Sequence, residues 1–147
     1  MIMSKACSYG IRAVIYIAAQ EDREFVSIRE IAENLNISFH FLAKILRILT
    51  QSRILQSFRG PKGGIALARP ADSVSLYEIV SVIDGPELFT ECILGLDRCG
   101  DANPCPLHLQ WEELRDHIKS RFQETYLSRL SNRVREEGFR LTDMTPS

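Results

Sequence analysis

Apolar residues in the first third of the chain recur at steps of three and four, which is the period of an amphipathic helix. Three stretches show this pattern, residues 4–20, 28–35 and 39–50, and a tight break around residues 34–37 separates the last two. Ser27-Ile-Arg-Glu30 has the form of a capping box at the start of the second stretch, and a serine also precedes the third. The pattern therefore predicts one helix followed by two short helices joined by a turn.

The second of these short helices has a basic outer face. Leucine and isoleucine residues between positions 42 and 49 form its apolar side and leave the opposite side polar. Two helices joined by a tight turn, with the second basic on its outer side, are typical of a helix-turn-helix. The residues expected to contact DNA from this helix are Ser38, Phe39, His40, Lys44 and Arg47.

Residues 54–69 predict a β-hairpin directly after these helices. Residues 54–58 and 65–69 alternate and are apolar enough for two strands, and Arg59-Gly-Pro-Lys-Gly-Gly64 between them is rich in turn formers. Glycines at the tip let the backbone approach another surface closely and leave Arg59 and Lys62 prominent. Since the minor groove of DNA attracts such an arginine, the hairpin predicts a DNA-binding wing.

The second half of the chain predicts two further helices with a loop between them. Ser75 is expected to cap a helix that runs to about Ile83. From about residue 106 to residue 137, apolar residues at steps of three and four form one stripe, which predicts a single long helix. Because the domain is too small to cover that stripe, we expect it to pair with a helix of a second subunit.

These elements predict a fold that is mainly α with a small β-hairpin wing, a winged helix-turn-helix domain followed by a long C-terminal dimerisation helix. The expected parts are a DNA-binding domain over residues 1–84, a cysteine-rich loop over 85–106, a dimerisation helix over 107–137 and a flexible tail over 138–147. No apolar run approaches the roughly 18 to 20 residues of a membrane span, and the N-terminus does not resemble a signal peptide. We therefore expect a cytoplasmic protein without a membrane partner.

Charge is distributed unevenly along the chain. Residues 1–70 carry a net charge of +5 and residues 71–147 a net charge of −6, although the whole chain has a net charge of only −1. Between residues 34 and 71 there are six Lys or Arg residues and no Asp or Glu. Because exposed faces usually mix both signs, this basic region indicates a polyanionic partner. This supports the prediction that the partner is double-stranded DNA.

Three of the four cysteines lie close together. Cys92, Cys99, Cys105 and His108 follow the spacing C-x6-C-x5-C-x2-H in a segment rich in Gly, Asp, Asn and Pro. In a reducing cytoplasm, clustered cysteines are more often metal ligands than disulfides, and thiolates select soft metals and iron–sulfur clusters. The loop is therefore a candidate site for an ion or a cluster. The fourth cysteine, Cys7, begins the first helix, where we expect a buried structural thiol.

Together these motifs resemble the IscR- and NsrR-like family of bacterial winged-helix iron–sulfur transcriptional regulators. The resemblance covers about residues 4–137 and rests on Tyr9-Gly-Ile-Arg-Ala13, Ile28-Arg-Glu-Ile-Ala32, the Arg59–Gly64 turn and the three-cysteine loop. It implies a homodimer that binds a pseudo-palindromic promoter site. It also implies an iron–sulfur cluster in each subunit, held by the three loop cysteines.

The resemblance implies a fourth ligand that varies within the family. In the cluster-homeostasis branch it is a histidine just beyond the third cysteine, the place of His108 here, on a 2Fe–2S cluster. In the nitric-oxide branch it is an aspartate of the partner subunit on a 4Fe–4S cluster, and Ser8 occupies that place here. We favour His108 and 2Fe–2S, with Cys7 as a further candidate. The six residues between the first two cysteines depart from the five usual in the cluster-homeostasis branch.

Other functions stay open from the residues alone. Three cysteines and one histidine are also a zinc-binding set, although gaps of six and five residues suit a multi-atom cluster better than the C-x2-C pairs of many zinc sites. In a third interpretation the cysteines sense oxidants directly, through a disulfide or a sulfenic acid. An enzyme or a small electron-transfer protein is disfavoured, because the chain has no glycine-rich nucleotide loop and no acid–base cluster outside the cysteine loop.

Overall fold

The computed structural model describes residues 2–97 and 100–143. Within these ranges seven α-helices, one 3₁₀ turn and one antiparallel two-stranded sheet follow each other in this order: α1 (Lys5–Ala19), α2 (Ile28–Leu35), α3 (Phe39–Gln51), β1 (Leu55–Phe58), β2 (Gly64–Leu67), the 3₁₀ turn (Ala71–Ser73), α4 (Leu76–Asp84), α5 (Glu87–Thr90), α6 (His108–Glu124) and α7 (Leu127–Glu137). The predicted mainly helical fold with a β-hairpin wing is confirmed. No helix in the described ranges is long and apolar enough to cross a bilayer.

The helix-turn-helix forms where the sequence predicts it, but its two capping serines behave differently. Ser27 accepts a hydrogen bond from the backbone N–H of Glu30 over 3.1 Å and so caps α2. The Glu30 carboxylate does not reach back to complete a capping box, because it accepts hydrogen bonds from Tyr16 (2.8 Å) and Arg23 (2.6 Å). Ser38 precedes α3 without a capping hydrogen bond from its side chain. Of these two serines, only Ser27 therefore caps its helix, whereas the predicted cap of α4 is also made, because Ser75 accepts a hydrogen bond from the N–H of Glu78.

The core lies between α1, the helix-turn-helix, α4, the wing and α7. The predicted apolar side of α3 is at most 2 % exposed and consists of Leu42, Ile45, Leu46 and Leu49. The wing is joined to this core by a bridge between Val26 and Ile65, whose backbone N–H groups donate to each other's carbonyls over 2.9 and 2.8 Å. The bridge connects the base of the wing to the start of the helix-turn-helix.

The C-terminal stripe is two helices, which corrects the expectation of a single helix over residues 107–137. The extended link Thr125-Tyr126 separates α6 from α7. The N–H of Leu76 donates to the carbonyl of Thr125, and the N–H of Leu127 donates to the carbonyl of Val74, both over 2.8 Å. These tertiary hydrogen bonds replace intrahelical ones. Leaving the helix costs little here, because β-branched Thr125 and aromatic Tyr126 have low intrinsic helix propensity.

The break sends the two parts of the stripe to different places. In α7, Leu127 is completely buried, and Leu130 and Val134 pack against the core beside α1. In α6, Leu107 just before the helix and Leu114 within it remain 43 % and 58 % exposed. The α7 half therefore completes the winged-helix core, and the α6 half is left to face outward.

Candidate nucleic-acid interface and cluster-binding loop

The outer face of α3 presents the residues predicted to contact DNA. All five predicted residues are exposed at its start or along this face: Ser38, Phe39, His40, Lys44 and Arg47. They are exposed because burial of the leucine and isoleucine side fixes the rotation of the helix. Sequence reasoning missed Arg29 of α2, whose guanidinium lies 5.4 Å from the ring centroid of Phe39 and adds a positive charge beside this face.

The tip of the wing is shaped by a glycine that no other residue can replace without moving the backbone. A Cβ on Gly63 would lie 2.0 Å from the carbonyl oxygen of Phe58. The ring of Phe58 in turn packs against the ring of Phe25 at an angle of 47°, with 4.3 Å between centroids, and supports the base of the tip. Arg59 and Lys62 are exposed on it, as predicted.

In the described part of the chain, no carboxylate neutralises the basic side chains on the outer face of α3 and at the tip of the wing. Within residues 2–97 and 100–143, none of Lys44, Arg47, Arg59 and Lys62 forms a salt bridge; the described pairs on this half of the chain involve Arg23 and Arg69 instead. Charges that no carboxylate neutralises attract phosphate oxygens most strongly. The surface is therefore suited to a nucleic-acid backbone.

Two of the three predicted cysteine ligands meet in the loop. The Sγ atoms of Cys92 and Cys105 are 3.5 Å apart, close to contact but well beyond the roughly 2.05 Å of a disulfide bond. Both cysteines line a small cavity of about 100 Å³, and His108 lines the same cavity. Cys99 lies outside the described residues, so its predicted role stays a prediction. The loop thus brings Cys92, Cys105 and His108 to one place.

The surroundings of Cys92 favour its thiolate. Backbone hydrogen bonds, the largest from Leu96 and the next from Leu94, lower the pKa of the Cys92 thiol, although burial acts in the opposite direction. The N–H of Leu94 lies 3.4 Å from its Sγ atom. Since the thiolate is the form that binds metals, these backbone hydrogen bonds favour the form of Cys92 that could act as a metal ligand.

His108 is the first residue of α6 and is held by two carboxylates. Its side chain is 2 % exposed, and its Nε2 atom lies 3.0 Å from Asp101 Oδ1 and 3.3 Å from Glu112 Oε2. Its backbone N–H donates to the carbonyl of Cys105 over 3.0 Å, which ties the start of the helix to the third cysteine. Sequence reasoning missed both carboxylates, although the four-residue step from His108 to Glu112 could have indicated the second.

Two further side chains of α6 hold the chain just before Cys92. The indole Nε1–H of Trp111 donates to the carbonyl of Glu91 over 2.8 Å. The buried Arg115 guanidinium donates to the carbonyl of Thr90 over 3.1 Å. His108, Trp111, Glu112 and Arg115 follow at helical spacing, so one face of α6 supports both ends of the loop.

With this geometry established, comparison with known proteins identifies the family. Residues 3–133 match the profile of the family Rrf2, described as "Iron-dependent Transcriptional regulator". The chain belongs to the Rrf2 family. The regulator NsrR of Oceanobacillus iheyensis is 31% identical over 108 residues, which cover 73% of this chain and 74% of that protein. The regulator IscR of Escherichia coli is 27% identical over 124 residues, which cover 84% of this chain and 76% of that protein.

A solved structure supports the same assignment. The structure of CymR, the global cysteine regulator of Bacillus subtilis, superposes with a TM-score of 0.76 at 26% identity and covers 88% of this chain and 95% of that one. As a member of Rrf2, the chain is a transcriptional regulator, and its family implies binding to DNA. The expectation that it is not an enzyme is confirmed.

The two alternative ligands considered from the sequence, Cys7 and Ser8, lie on α1. Cys7 is completely buried against Val80 and Phe89, and its Sγ atom is 3.9 Å from Met3 Sδ. Burial, with a smaller contribution from Asp84, raises the pKa of the Cys7 thiol to about 12. Such a thiol stays protonated and packs as a small apolar side chain. Neither Cys7 nor Ser8 lines the cavity beside Cys92.

Proposed function

We propose that this Rrf2 regulator controls its promoter binding through an iron–sulfur cluster, 2Fe–2S, held by Cys92, Cys99, Cys105 and His108. One observation carries the proposal: two cysteine sulfurs 3.5 Å apart and a buried histidine share the wall of one small cavity. Bound there, the cluster would supply a redox-active and labile centre, because a single non-cysteine ligand makes a cluster easier to lose or to attack.

The donor set fits such a group. Two thiolates on one tetrahedral metal, with bonds of about 2.3 Å, lie roughly 3.8 Å apart. The 3.5 Å between Cys92 and Cys105 is close to that separation. Ligands of mixed sulfur and nitrogen are those that iron–sulfur centres and zinc accept. The wide spacing of the cysteines favours the multi-atom cluster over a single zinc ion.

DNA recognition would use both parts of the winged helix. We place α3 in the major groove, with Ser38, Phe39, His40, Lys44 and Arg47 as the contacting residues, because its outer face is exposed and basic. Arg59 and Lys62 of the wing would then reach the adjacent minor groove or its phosphates. Since bacterial promoters lie in the cytoplasm, that is where the regulator would act.

A second copy of the chain would cover the outward side of α6. Leu107 and Leu114 are seven residues apart, so they lie on one side of this segment, and they are 43 % and 58 % exposed. A homodimer joined there would present two α3 helices to half-sites about one turn of B-DNA apart, roughly 34 Å. Closure of the loop around a cluster would set the position of α6 and thereby the spacing of the two reading helices.

The link from the loop to the DNA-binding face runs through packed helices. Ile118 and Phe122 of α6 pack in the same apolar cluster as Val80 of α4. Helix α4 in turn packs against α1 and α3. Because packed cores shift between discrete arrangements and do not deform continuously, a displacement of α6 would reach α3 as a shift between two populations.

The test is anaerobic purification followed by iron and sulfide assays and DNA binding. We expect brown protein that contains both elements, and promoter affinity that differs between the cluster-loaded and cluster-free forms. Cys105→Ser should abolish the cluster, whereas Cys7→Ala, the matched substitution of the cysteine outside the loop, should retain it. Colourless protein that contains zinc, or equal affinity of both forms, would contradict the proposal.

A second candidate function is supported by the same sulfur pair. Cys92 and Cys105 are near enough to form a disulfide after a small rotation of their side chains. A peroxide would oxidise one thiolate to a sulfenic acid and release hydroxide, and attack by the other thiol would form the S–S bond and release water. Mass spectrometry of peroxide-treated cluster-free protein tests this directly. A Cys92–Cys105 peptide link with a matching loss of DNA affinity would support a direct thiol switch.

A further inference from the structure

The carboxylates around His108 have no part in the ligand set proposed above. Asp101 and Glu112 both approach the same nitrogen, Nε2, at 3.0 and 3.3 Å. The histidine is 2 % exposed, whereas the Asp101 and Glu112 side chains are 84 % and 36 % exposed. A buried imidazole is therefore oriented by two charges that reach it from the solvent side.

The contact between Glu112 and His108 is more firmly fixed than the contact between Asp101 and His108. It lies four residues after His108 on α6, so the two side chains are neighbours on one helix face and move together with the helix. Asp101 lies in the loop between the second and third cysteines, outside any helix or strand. The contact to Glu112 is thus fixed by secondary structure, and the contact to Asp101 depends on how the loop closes.

The choice of nitrogen has a chemical consequence. A neutral imidazole has one N–H donor and one lone pair, on opposite nitrogens. Carboxylates at Nε2 favour the tautomer with its proton on that atom and therefore place the lone pair on Nδ1. Histidines that bind metals almost always donate their other N–H to a carboxylate or a carbonyl, which fixes the ring and makes the ligand more basic.

We propose that Glu112, assisted by Asp101, is a positioning residue that orients His108 and selects Nδ1 as its cluster-binding atom. This inference rests on the proposed function, because it concerns the fourth ligand of the same cluster. Glu112 contacts His108 and does not line the cavity beside Cys92, so its effect would pass through the imidazole.

The experiment uses full-length protein purified anaerobically, with Glu112→Gln, Glu112→Ala and Glu113→Gln compared with the wild type. Glu113 is the matched control, since it is an exposed glutamate on the same turn of α6. We measure the lifetime of the cluster against an iron chelator and the electron paramagnetic resonance spectrum of the reduced cluster. Glu112→Ala should shorten the lifetime by roughly 10 to 100 fold and shift the spectrum. Glu112→Gln should lie between, because its amide keeps an acceptor oxygen without the charge, and Glu113→Gln should match the wild type.

A second background separates positioning from general support of the helix. In His108→Cys the fourth ligand is a thiolate with no ring to orient, so adding Glu112→Gln should change neither lifetime nor spectrum. An equal loss in both backgrounds, or Glu112 variants that match Glu113→Gln, would overturn the inference while the cluster itself stands. If the purified wild-type protein contains neither iron nor sulfide, that result would contradict the proposed function and this inference with it.

Discussion

The winged-helix half of the molecule and the cysteine loop differ in how completely they bury their own apolar side chains. In the winged-helix half, the apolar side of α3 is at most 2 % exposed, and α7 returns to cover α1. In the cysteine loop, Ile93, Leu94 and Leu96 are 50 % to 58 % exposed, and two thiols face a small cavity. The winged-helix half buries its own apolar core. The cysteine loop leaves apolar surface exposed and two thiols beside a cavity, as the proposed cluster site requires.

The largest expected contrast is between the two cysteines that represent these halves. With a pKa of about 12 in place of 9.0, Cys7 holds about a thousandth of the thiolate of an ordinary cysteine. The pKa of Cys92 is shifted in the opposite direction. In native cluster-free protein near neutral pH, iodoacetamide should therefore modify Cys92 and spare Cys7, as followed by mass spectrometry of peptides.

Cys7 should become reactive only as the pH approaches 12 or when urea unfolds the chain. Equal rates of modification at the two cysteines in the folded protein would show that the halves are equally open.

A second test compares one buried and one exposed leucine. Leu46 is 1 % exposed in the winged-helix core, and Leu114 on α6 is 58 % exposed. Leu46→Ala should lower the free energy of unfolding by about 2 to 5 kcal/mol, because it leaves a cavity. Leu114→Ala should cost a subunit less than about 0.5 kcal/mol and should instead weaken self-association. Urea titration measures the first quantity and sedimentation the second, and comparable costs in urea would contradict the contrast.

A third test compares the basic tip of the wing with an exposed arginine of α7. Arg59→Ala should weaken binding to a specific promoter by about 1 to 3 kcal/mol, since it removes a groove contact. Arg129→Ala, an exposed arginine of α7, should leave binding unchanged. Lys62→Ala should weaken all sequences alike and reduce the dependence of affinity on salt. Fluorescence anisotropy at several salt concentrations separates these outcomes, and full affinity in the double variant of Arg59 and Lys62 would exclude the wing as a contact.

The smallest effect distinguishes two serines within the winged-helix half. Ser27→Ala should cost about 1 kcal/mol of stability, because Ser27 caps α2. Ser38→Ala should cost only a few tenths of a kcal/mol, because Ser38 makes no capping hydrogen bond. Paired urea titrations give the difference, and equal costs would mean that local sequence alone sets the two helix starts.

The winged helix could be predicted from sequence because its signals are local. The alternation of apolar and polar residues, the serine before α2 and the glycine-rich turn each act within a few residues. The break at Thr125 could not be predicted in this way, since it depends on hydrogen bonds to Val74 and Leu76, some fifty residues earlier. The apolar steps of three and four simply continue across it, so the stripe looked like one helix.

The sequence predicts which residues form the candidate site, but it does not predict the contacts that support them. Spacing and residue type pointed to Cys92, Cys105 and His108, and these three do share a cavity. The contacts that hold them come from side chains with no such signature, among them Trp111 and Arg115. Their partners are backbone carbonyls, which every residue possesses, and a sequence cannot show which carbonyl a side chain will reach.

Because α7 packs on α1, the winged-helix head is assembled from both ends of the sequence, and the segment with the cysteine loop is an insertion between them. A chain cut after Asp84 would lose the completely buried Leu127 and leave part of α1 in contact with water. Replacing residues 85–125 by a short flexible linker would keep both halves of the head. That replacement, and not truncation, is the way to obtain the head without the cysteine loop.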